Sequence, residues 1–471
     1  MSKVIAGMDW QELYSFASKQ ALLGLCFEGI ERLGKEYPEE LKQNPIGREL
    51  LMTWMGKAQQ IRRQNMKVNA VASKLFSMLR EDGMRCCVLK GQGNALMYPN
   101  PYSRTPGDID VWIDASRERI MEYAQKKFEL GDDIRLQHLE TSLDGVPVEL
   151  HFFPCSMNNP IYHVRLQKWF RRNADLQCSH IVGLPDGAGD IAIPTSSFNV
   201  VYQLTHLYHH FFDEGIGMRQ IIDYFLVVND FSKNVFLDHD LSNHPVNFSN
   251  HPVPLSKEGS TFSPSPSSMV FTPPSVPPFP GGRNLRSGDV TAPSRCSEPL
   301  RSKDGGPSKV SPDCEGWDRR GVSGDTGSVS CSSASGSSIT SVSSASTTDS
   351  SASTALDVVQ RELKYLGLWK FAGAVMYVLK EVLGLAEDKM IVPMDEKRGR
   401  LLLAEILDGG NFGRHFTKYA GFTHQSMGKK YFLKIWRNMH FVRFYPAEAL
   451  SEPIFRSWHF FWRLKHRSQS L

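Results

Sequence analysis

The sequence has few cysteines, and their spacing argues against both a zinc module and a disulfide framework. Its eight cysteines include no CxxC pair and no cysteine–histidine spacing that is typical of zinc modules. Cys86 and Cys87 are adjacent, which disfavours a disulfide between them. We therefore interpret the cysteines as reduced thiols rather than a disulfide framework, and we predict a cytoplasmic protein.

Long hydrophobic runs are also missing. The N-terminus, MSKVIAGMDWQELYSF, has no apolar segment typical of a secretory signal. The most apolar helical run, FAGAVMYVLKEVLG, contains Lys380 and Glu381 and is too short to cross a bilayer. We therefore expect neither a signal peptide nor a membrane span.

No charge of one sign dominates the chain. The formal net charge is +4 over 471 residues. Such a balance excludes a histone-like protein that coats polyanions. The length is sufficient for two or three domains.

Apolar residues become rare from about residue 232 to residue 354. This stretch is rich in proline and then almost purely serine, alanine and threonine, as in SVSCSSASGSSITSVSSASTTDSSAST. Such a composition buries too little apolar surface to offset the entropy of ordering, so we predict a disordered insertion. Helical patterns precede it at 196–212 and 217–230 and resume after 355. The insertion is therefore expected within a loop of one helical domain.

Residues 84–155 have a different pattern, typical of a small α/β unit. MRCCVLK and DIDVWID predict strands, and KGQGNALMY predicts a glycine-containing loop that enters a short helix. SRERIMEYAQKKFEL predicts an amphipathic helix. The dipeptide Asp144-Gly145 predicts the turn of a following hairpin.

These patterns together predict an α+β fold with a small mixed sheet, helices before it and a helical domain after it. The predicted divisions are 1–83 for an N-terminal helical region, 84–155 for the α/β core, 156–231 for a connecting segment and the first part of the helical domain, 232–354 for the insertion, and 355–471 for the second part with a basic, aromatic C-terminus.

Three carboxylates lie on the less apolar faces of the predicted strands. Asp108 and Asp110 are two residues apart, so their side chains point the same way with Cα atoms about 6–7 Å apart. Glu149 follows the same rule in the second strand of the hairpin. Clustered carboxylates repel one another, and a divalent cation reverses that penalty. We therefore predict a Mg²⁺ or Mn²⁺ site.

The loop before these strands offers groups that suit a phosphate. Gly91 and Gly93 allow a close approach of the backbone, and Lys90 supplies a point charge. Arg104, four residues before Asp108, is a second candidate phosphate contact.

The stretch LKGQGNALMY…R…GDIDVWI resembles the signature of the nucleotidyltransferase superfamily, whose fold is shared with DNA polymerase β. It is similar to a bacterial family still described as uncharacterised, found in Bacteroides-like bacteria, and to the toxin nucleotidyltransferases of abortive-infection systems. FNVVYQLTHLYHHFFDEGIGMRQIIDYF and AEILDGGNFG are further stretches similar to the uncharacterised family. The resemblance covers about 80–232 and 355–471.

The resemblance implies roles for individual residues. Asp108, Asp110 and Glu149 would bind the metal and act in catalysis, and Gly91 would shape the turn. The serine that usually contacts the triphosphate is missing here, so Lys90 or the backbone of 91–94 would replace it. The resemblance also implies an active-site Arg…Asp pair on a later helix. Arg219 would bind the nucleotide and Asp223 would be catalytic, although such a pair is more often a structural ion pair.

The function implied is transfer of a nucleoside monophosphate from an NTP to an acceptor such as RNA, a protein or a sugar phosphate. The alternative is a non-catalytic relative that keeps the fold as a binding or scaffold module. Retention of three mutually repelling carboxylates favours the enzyme.

Three other features leave alternatives open. His206 and His210 have the spacing of a zinc pair, but packing or contact with an acceptor is favoured because HExxH is absent. GGNFG is interpreted as a turn. The basic, aromatic C-terminus suits nucleic acid, a membrane surface or packing onto the helical domain with arginines outward, and the packing interpretation is favoured.

Overall fold

A computed structural model describes residues 2–130, 135–241, 348–415 and 427–467 of the chain. These residues belong to one compact unit, Met1–Val246 together with Ser343–Leu471. A second unit, Asn247–Val342, lies outside the described residues, as does most of the predicted insertion.

Helices predominate, as the sequence predicts. Within the described residues the helices are α1 Ser2–Ala6, α2 Trp10–Lys19, α3 Leu23–Glu36, α4 Pro38–Gln43, α5 Arg48–Glu81, α6 Gly91–Ala95, α7 Arg117–Lys127, α8 Pro160–Ser179, α9 Ser196–Asp213, α10 Met218–Leu241, α11 Thr348–Tyr365, α12 Trp369–Leu383, α13 Glu396–Gly409, α14 Met427–Met439 and α15 Pro446–Arg467. The strands are β1 Cys86–Leu89, β2 Ile109–Ile113, β3 His138–Leu143, β4 Val146–His151, β5 Ile181–Gly183 and β6 Asp190–Ala192.

The central sheet is small and mixed. Its four strands have the order β1-β2-β4-β3, and β5 and β6 form a separate two-stranded sheet. Strands β1 and β2 are antiparallel, β2 and β4 are parallel, and β3 and β4 form the predicted hairpin. Asp144 and Gly145 occupy its turn with φ of 51° and 71°, values that asparagine, aspartate and glycine tolerate best.

Both faces of strand β2 are buried, which explains the apolar character of DIDVWID. Ile109, Val111 and Ile113 belong to a core built with helices α5 and α7. Trp112, on the other face, stacks on Phe198 of α9 with ring centroids 6.3 Å apart. Asp110 shares this second face, because side chains alternate along a strand. The carboxylate is therefore sandwiched between the sheet and the helical domain.

The helical domain is completed by chain segments that are far apart in sequence. Tyr224 of α10 and Leu363 of α11 belong to the same hydrophobic core. Helix α10 continues to Leu241 and α11 begins at Thr348, so both helices extend into the range 232–354 that the sequence assigned to the insertion. The α+β architecture with an interrupted helical domain is confirmed.

Helix α5 ends at Glu81, two residues before a glycine. Gly83 follows it with φ of 71°, and the Met84 N–H donates to the Leu79 carbonyl at 2.8 Å. This is the left-handed glycine termination that suits a residue without Cβ. Within the described residues, no helix combines the length and the apolar character needed to cross a membrane.

Candidate active site

Three carboxylates meet on one face of the central strands, and we call Asp108, Asp110 and Glu149 the carboxylate cluster. Asp108 immediately precedes β2, Asp110 lies in β2, and Glu149 lies in β4. Asp110 and Glu149 are directly paired in the parallel register of these strands. One oxygen from each carboxylate lies within 4.8 Å of the other two. The structure thus brings together three residues that are up to 41 positions apart in sequence.

Asp110 is held in its charged form by two neighbours. It is only 3% exposed, and its Oδ1 lies 3.0 Å from Lys90 Nζ and 3.0 Å from His151 Nε2. Burial raises the pKa of Asp110, but the charges and hydrogen bonds of Lys90 and His151 outweigh burial and hold it well below its usual range. Burial likewise lowers the pKa of Lys90, and the carboxylates raise it above its ordinary value.

His151 also bridges two of the carboxylates. Its Nε2 lies 3.1 Å from Glu149 Oε2 as well as 3.0 Å from Asp110 Oδ1. We assign a proton to Nε2 because both of its neighbours are acceptors. Burial lowers the pKa of His151, but the hydrogen bonds to Asp110 and Glu149 raise it to about 9. His151 therefore positions two carboxylates that would otherwise repel each other.

Asp108 differs from Asp110 in exposure and in the direction of its pKa shift, although the two residues have the same local sequence pattern. Asp108 is exposed. The charge of Asp110, followed by partial loss of solvent, raises the pKa of Asp108 to about 6. Its charged form is therefore destabilised in the absence of a cation. Three carboxylates with one open to solvent form a donor set that fits Mg²⁺ or Mn²⁺, ions that bind a few carboxylate oxygens and retain water or phosphate ligands.

The loop before α6 brings Lys90 to the cluster through a strained backbone. Lys90 has φ of 53° and ψ of −135°, and Gly91 follows with φ of 43°. A non-glycine residue in this region costs about 1–3 kcal/mol. Gly93 has a packing reason for its identity, since a Cβ there would lie 2.9 Å from Ile193 Cγ2. Contacts of Lys90, Gly91 and Gly93 with a nucleotide stay predictions.

His206 and His210 extend the hydrogen-bonded chain away from Asp110. Lys90 Nζ lies 2.8 Å from His206 Nε2, which lies 3.3 Å from His210 Nε2. Burial and then the charge of Lys90 hold the pKa of His206 well below its ordinary value, so Nε2 of the neutral ring accepts a hydrogen bond from the Lys90 ammonium. Neither histidine belongs to a group of three metal ligands in the described chain. The described residues therefore give no support for zinc binding by His206 and His210.

Arg104, Arg219, Asp223 and Tyr98 form a second buried group, which we call the arginine cluster. Arg104 donates from Nε and Nη2 to the two carboxylate oxygens of Asp223, both at 2.8 Å. Tyr98 donates from its hydroxyl to Asp223 Oδ1 at 2.7 Å. Burial raises the pKa of Asp223, but Arg104 lowers it below its ordinary value. The sequence did not single out Tyr98, and nothing in its local pattern marks it.

Arg219 interacts more weakly with Asp223 than Arg104 does. Its Nη1 lies 4.0 Å from Asp223 Oδ2, beyond hydrogen-bonding distance. Burial, and then the charge of Arg104, lower the pKa of Arg219. Nη1 of Arg104 is buried with no hydrogen-bond partner among the described residues. The cluster therefore holds two guanidinium groups against one carboxylate, which suits an additional anion.

Comparison with known proteins identifies the family. A profile of the family described as "Uncharacterised nucleotidyltransferase" matches residues 6–242, half of the chain, and includes both clusters. The chain belongs to this nucleotidyltransferase family. None of the curated proteins searched matches the chain. Among solved structures, it is similar to an antigenic nucleotidyltransferase-like protein from Paracoccidioides brasiliensis, with 16% identity over 34% of this chain and 75% of that chain and a TM-score of 0.24.

Phe412 reaches the site from outside the matched region of this nucleotidyltransferase. It lies in the GGNFG turn after α13 and has φ of 56°, a conformation that is rare for a bulky residue. Its ring centroid is 5.4 Å from that of His210 and 5.8 Å from the Arg219 guanidinium carbon. The turn that the sequence predicts is present. The strained aromatic that contacts both His210 and Arg219 could not be inferred from glycine spacing.

The C-terminal helices only partly match the favoured packing interpretation. Phe441 and Tyr445 are buried in the main core. Arg437 is also buried, whereas we expected arginines to point outward. Five described aromatic residues are exposed: Phe432, Trp436, Trp458, Phe460 and Phe461. The α14–α15 region thus carries an apolar surface that an amphipathic packing pattern does not explain.

Proposed function

We propose that this nucleotidyltransferase transfers a nucleoside monophosphate from an NTP to an acceptor in a reaction that requires Mg²⁺ or Mn²⁺. An acceptor oxygen forms a bond to the α-phosphorus, the α–β phosphoanhydride bond breaks, and pyrophosphate and the acceptor proton leave. The observation that carries the proposal is the carboxylate cluster, whose oxygens lie within 4.8 Å of one another. A scaffold gains nothing from holding such charges together.

Asp108, Asp110 and Glu149 are the residues that would hold the cation. The chemistry supplied by a divalent cation bound there is neutralisation of negative charge on the phosphate oxygens. Asp110 would be kept ionised and correctly oriented by Lys90 and His151, which contact its Oδ1. Asp108 is the exposed member of the cluster, so a cation could reach it directly from the solvent.

The cationic groups around the cluster would bind the triphosphate. Lys90 Nζ is already adjacent to the carboxylates at 3.0 Å from Asp110, so it would lie beside any phosphate bound there. Arg104 and Arg219 would supply further contacts to the triphosphate, because together they carry more positive charge than Asp223 compensates. Asp223 would act as a positioning residue, because its carboxylate is fully engaged with Arg104 and Tyr98.

The acceptor is proposed only as a class, a hydroxyl-bearing molecule such as RNA, a protein or a sugar phosphate. Each of these presents an oxygen that suits the same transfer.

The proposal is tested with α-labelled NTPs and melting curves of the full chain. We expect Mg²⁺ and one NTP together to raise the melting temperature, and label to appear on an acceptor present in extract. Asp108→Asn should abolish both effects, with a loss of transfer of more than about a hundredfold, because a direct ligand is removed.

Asp190→Asn, which changes an exposed aspartate of β6, is the matched control and should leave both effects unchanged. Equal responses of wild type and Asp108→Asn to Mg²⁺ and NTP would contradict the proposed site.

A further inference from the structure

Two histidines flank Glu149 on the side away from Asp108. His138 of β3 and His151 of β4 are directly opposite each other in the antiparallel register. Their ring centroids are 5.0 Å apart. His138, Glu149 and His151 each offer one ligand atom, and these three atoms lie within 4.8 Å of one another.

His138 is the unusual member of this group. It is 91% buried, yet neither of its ring nitrogens has a hydrogen-bond partner within the described residues. Its Nδ1 lies 3.4 Å from Glu149 Oε2, close to a carboxylate but outside good hydrogen-bond geometry. A buried imidazole without partners loses the hydrogen bonds that water would give it, so its position needs another explanation.

The distances between the candidate ligand atoms suit a small metal ion. Glu149 Oε2 is 3.4 Å from His138 Nδ1 and 3.1 Å from His151 Nε2. His151 Nε2 is in turn 3.0 Å from Asp110 Oδ1. A tetrahedral ion with ligand bonds of about 2.0–2.1 Å separates its ligand atoms by roughly 3.3 Å. The spacing needs little rearrangement of these side chains.

We propose that His138, Glu149 and His151 form a three-residue site for a first-row transition-metal ion such as Zn²⁺. Imidazole nitrogens favour such ions, whereas Mg²⁺ prefers oxygen ligands only. In the metal-free protein, the Nε2–H of His151 donates a hydrogen bond that Asp110 and Glu149 share, and the ion takes the place of that proton. This site shares Glu149 with the magnesium site, but it contains neither Asp108 nor Asp110 and includes two nitrogens, and it does not depend on nucleotide transfer.

The experiment uses Co²⁺ as a spectroscopic probe on the full chain after treatment with EDTA. We expect one equivalent of Co²⁺ to bind with visible d–d bands of a site containing nitrogen ligands. Zn²⁺ should remove these bands by displacement, and excess Mg²⁺ should not. His138→Gln should weaken Co²⁺ binding by at least about tenfold.

Two further variants separate ligand loss from misfolding. His138→Cys keeps a metal ligand and should restore Co²⁺ binding with an added thiolate-to-cobalt charge-transfer band. His180→Gln changes a half-buried histidine whose Nδ1 lies 2.9 Å from the Ile193 carbonyl oxygen, and it should leave the Co²⁺ spectrum unchanged. Unchanged bands in His138→Gln, or displacement by Mg²⁺ as easily as by Zn²⁺, would overturn the proposal.

The outcome is distinguishable from failure of the proposed transfer reaction. Asp108→Asn should lose the response to Mg²⁺ and NTP but keep the Co²⁺ spectrum. His138→Gln should lose the Co²⁺ spectrum and keep the response to Mg²⁺ and NTP. A chain that binds Co²⁺ through His138 but does not respond to any NTP would support the metal site and contradict the transferase function.

Discussion

The carboxylate cluster and the arginine cluster are balanced in opposite ways. The carboxylate cluster has three acids against Lys90 and His151, and its exposed member Asp108 is repelled by Asp110. The arginine cluster has one acid, Asp223, against two guanidinium groups. The excess of negative charge in the carboxylate cluster favours binding of a cation, and the excess of positive charge in the arginine cluster favours binding of an anion.

The difference also separates residues that stabilise the fold from residues that are available to a ligand. Asp223 accepts three hydrogen bonds from Arg104 and Tyr98, which makes it part of the structure. Asp108 is exposed, and its charged form is unfavourable. Electrostatic compensation, rather than residue type, therefore indicates which carboxylate contributes to stability and which to function.

The sharpest test of this comparison is to neutralise one aspartate in each cluster. Asp223→Asn should lower the free energy of unfolding by about 3–5 kcal/mol, because it leaves the buried guanidinium of Arg104 without a counter-charge. Asp108→Asn should leave the stability of metal-free protein unchanged or slightly higher, because it removes a repelled charge. Urea denaturation of both variants in EDTA measures the difference. An equal loss in the two variants would show that Asp108 is structural.

A second test uses the pH dependence that His151 imposes on the carboxylate cluster. Its pKa in the folded protein is raised to about 9, above the ordinary value of 6.5. A raised pKa stabilises the folded state fully below about pH 6.5, and this stabilisation is lost as the pH rises through about 9. Metal-free protein should lose on the order of 3 kcal/mol of stability over this window.

His151→Gln should remove that pH dependence, whereas His180→Gln should retain it. The measurement is urea denaturation from pH 6 to pH 10 in EDTA. A wild-type stability that does not change between about pH 6.5 and 9 would mean that the proton on His151 is not shared with the carboxylates.

A smaller effect is expected when the excess charge of the arginine cluster is removed. Arg219→Gln leaves the bidentate Arg104–Asp223 pair intact, so stability should change by less than about 1 kcal/mol. Affinity for Mg²⁺ and NTP should fall about tenfold or more, because a charge-assisted phosphate contact is lost. Thermal shift titrations with ATP and the other NTPs measure this. A large loss of stability with unchanged NTP affinity would assign Arg219 to the fold.

The smallest expected effect concerns Phe412, which contacts both His210 and Arg219. Its φ of 56° is strained for any residue with a Cβ. Phe412→Ala removes the ring and keeps the strain, whereas Phe412→Gly removes both. The glycine variant should therefore be more stable than the alanine variant by about 1 kcal/mol. Equal melting temperatures of the two variants would show that the turn relaxes when the ring is removed.

The sequence by itself determined most of the local architecture. Alternation in DIDVWID and the Asp144-Gly145 turn predicted the strands and the hairpin, because side chains alternate and turns need particular backbone angles. The helical patterns on both sides of residues 232–354 predicted one interrupted helical domain. The glycine and DID motifs identified the nucleotidyltransferase family. These features depend on interactions between near neighbours in the chain.

Only the tertiary structure determined which charged groups of the site are compensated by a partner of opposite charge. Asp108 and Asp110 have the same local pattern, yet Lys90 and His151 stabilise the charge on Asp110 alone. Arg104 and Asp223 are 119 residues apart, and no pattern in either segment predicts their bidentate pair. His138 acquires its place beside Glu149 only through the pairing of β3 with β4. Charge interactions depend on distance in space and on burial, and a linear sequence specifies neither until the chain has folded.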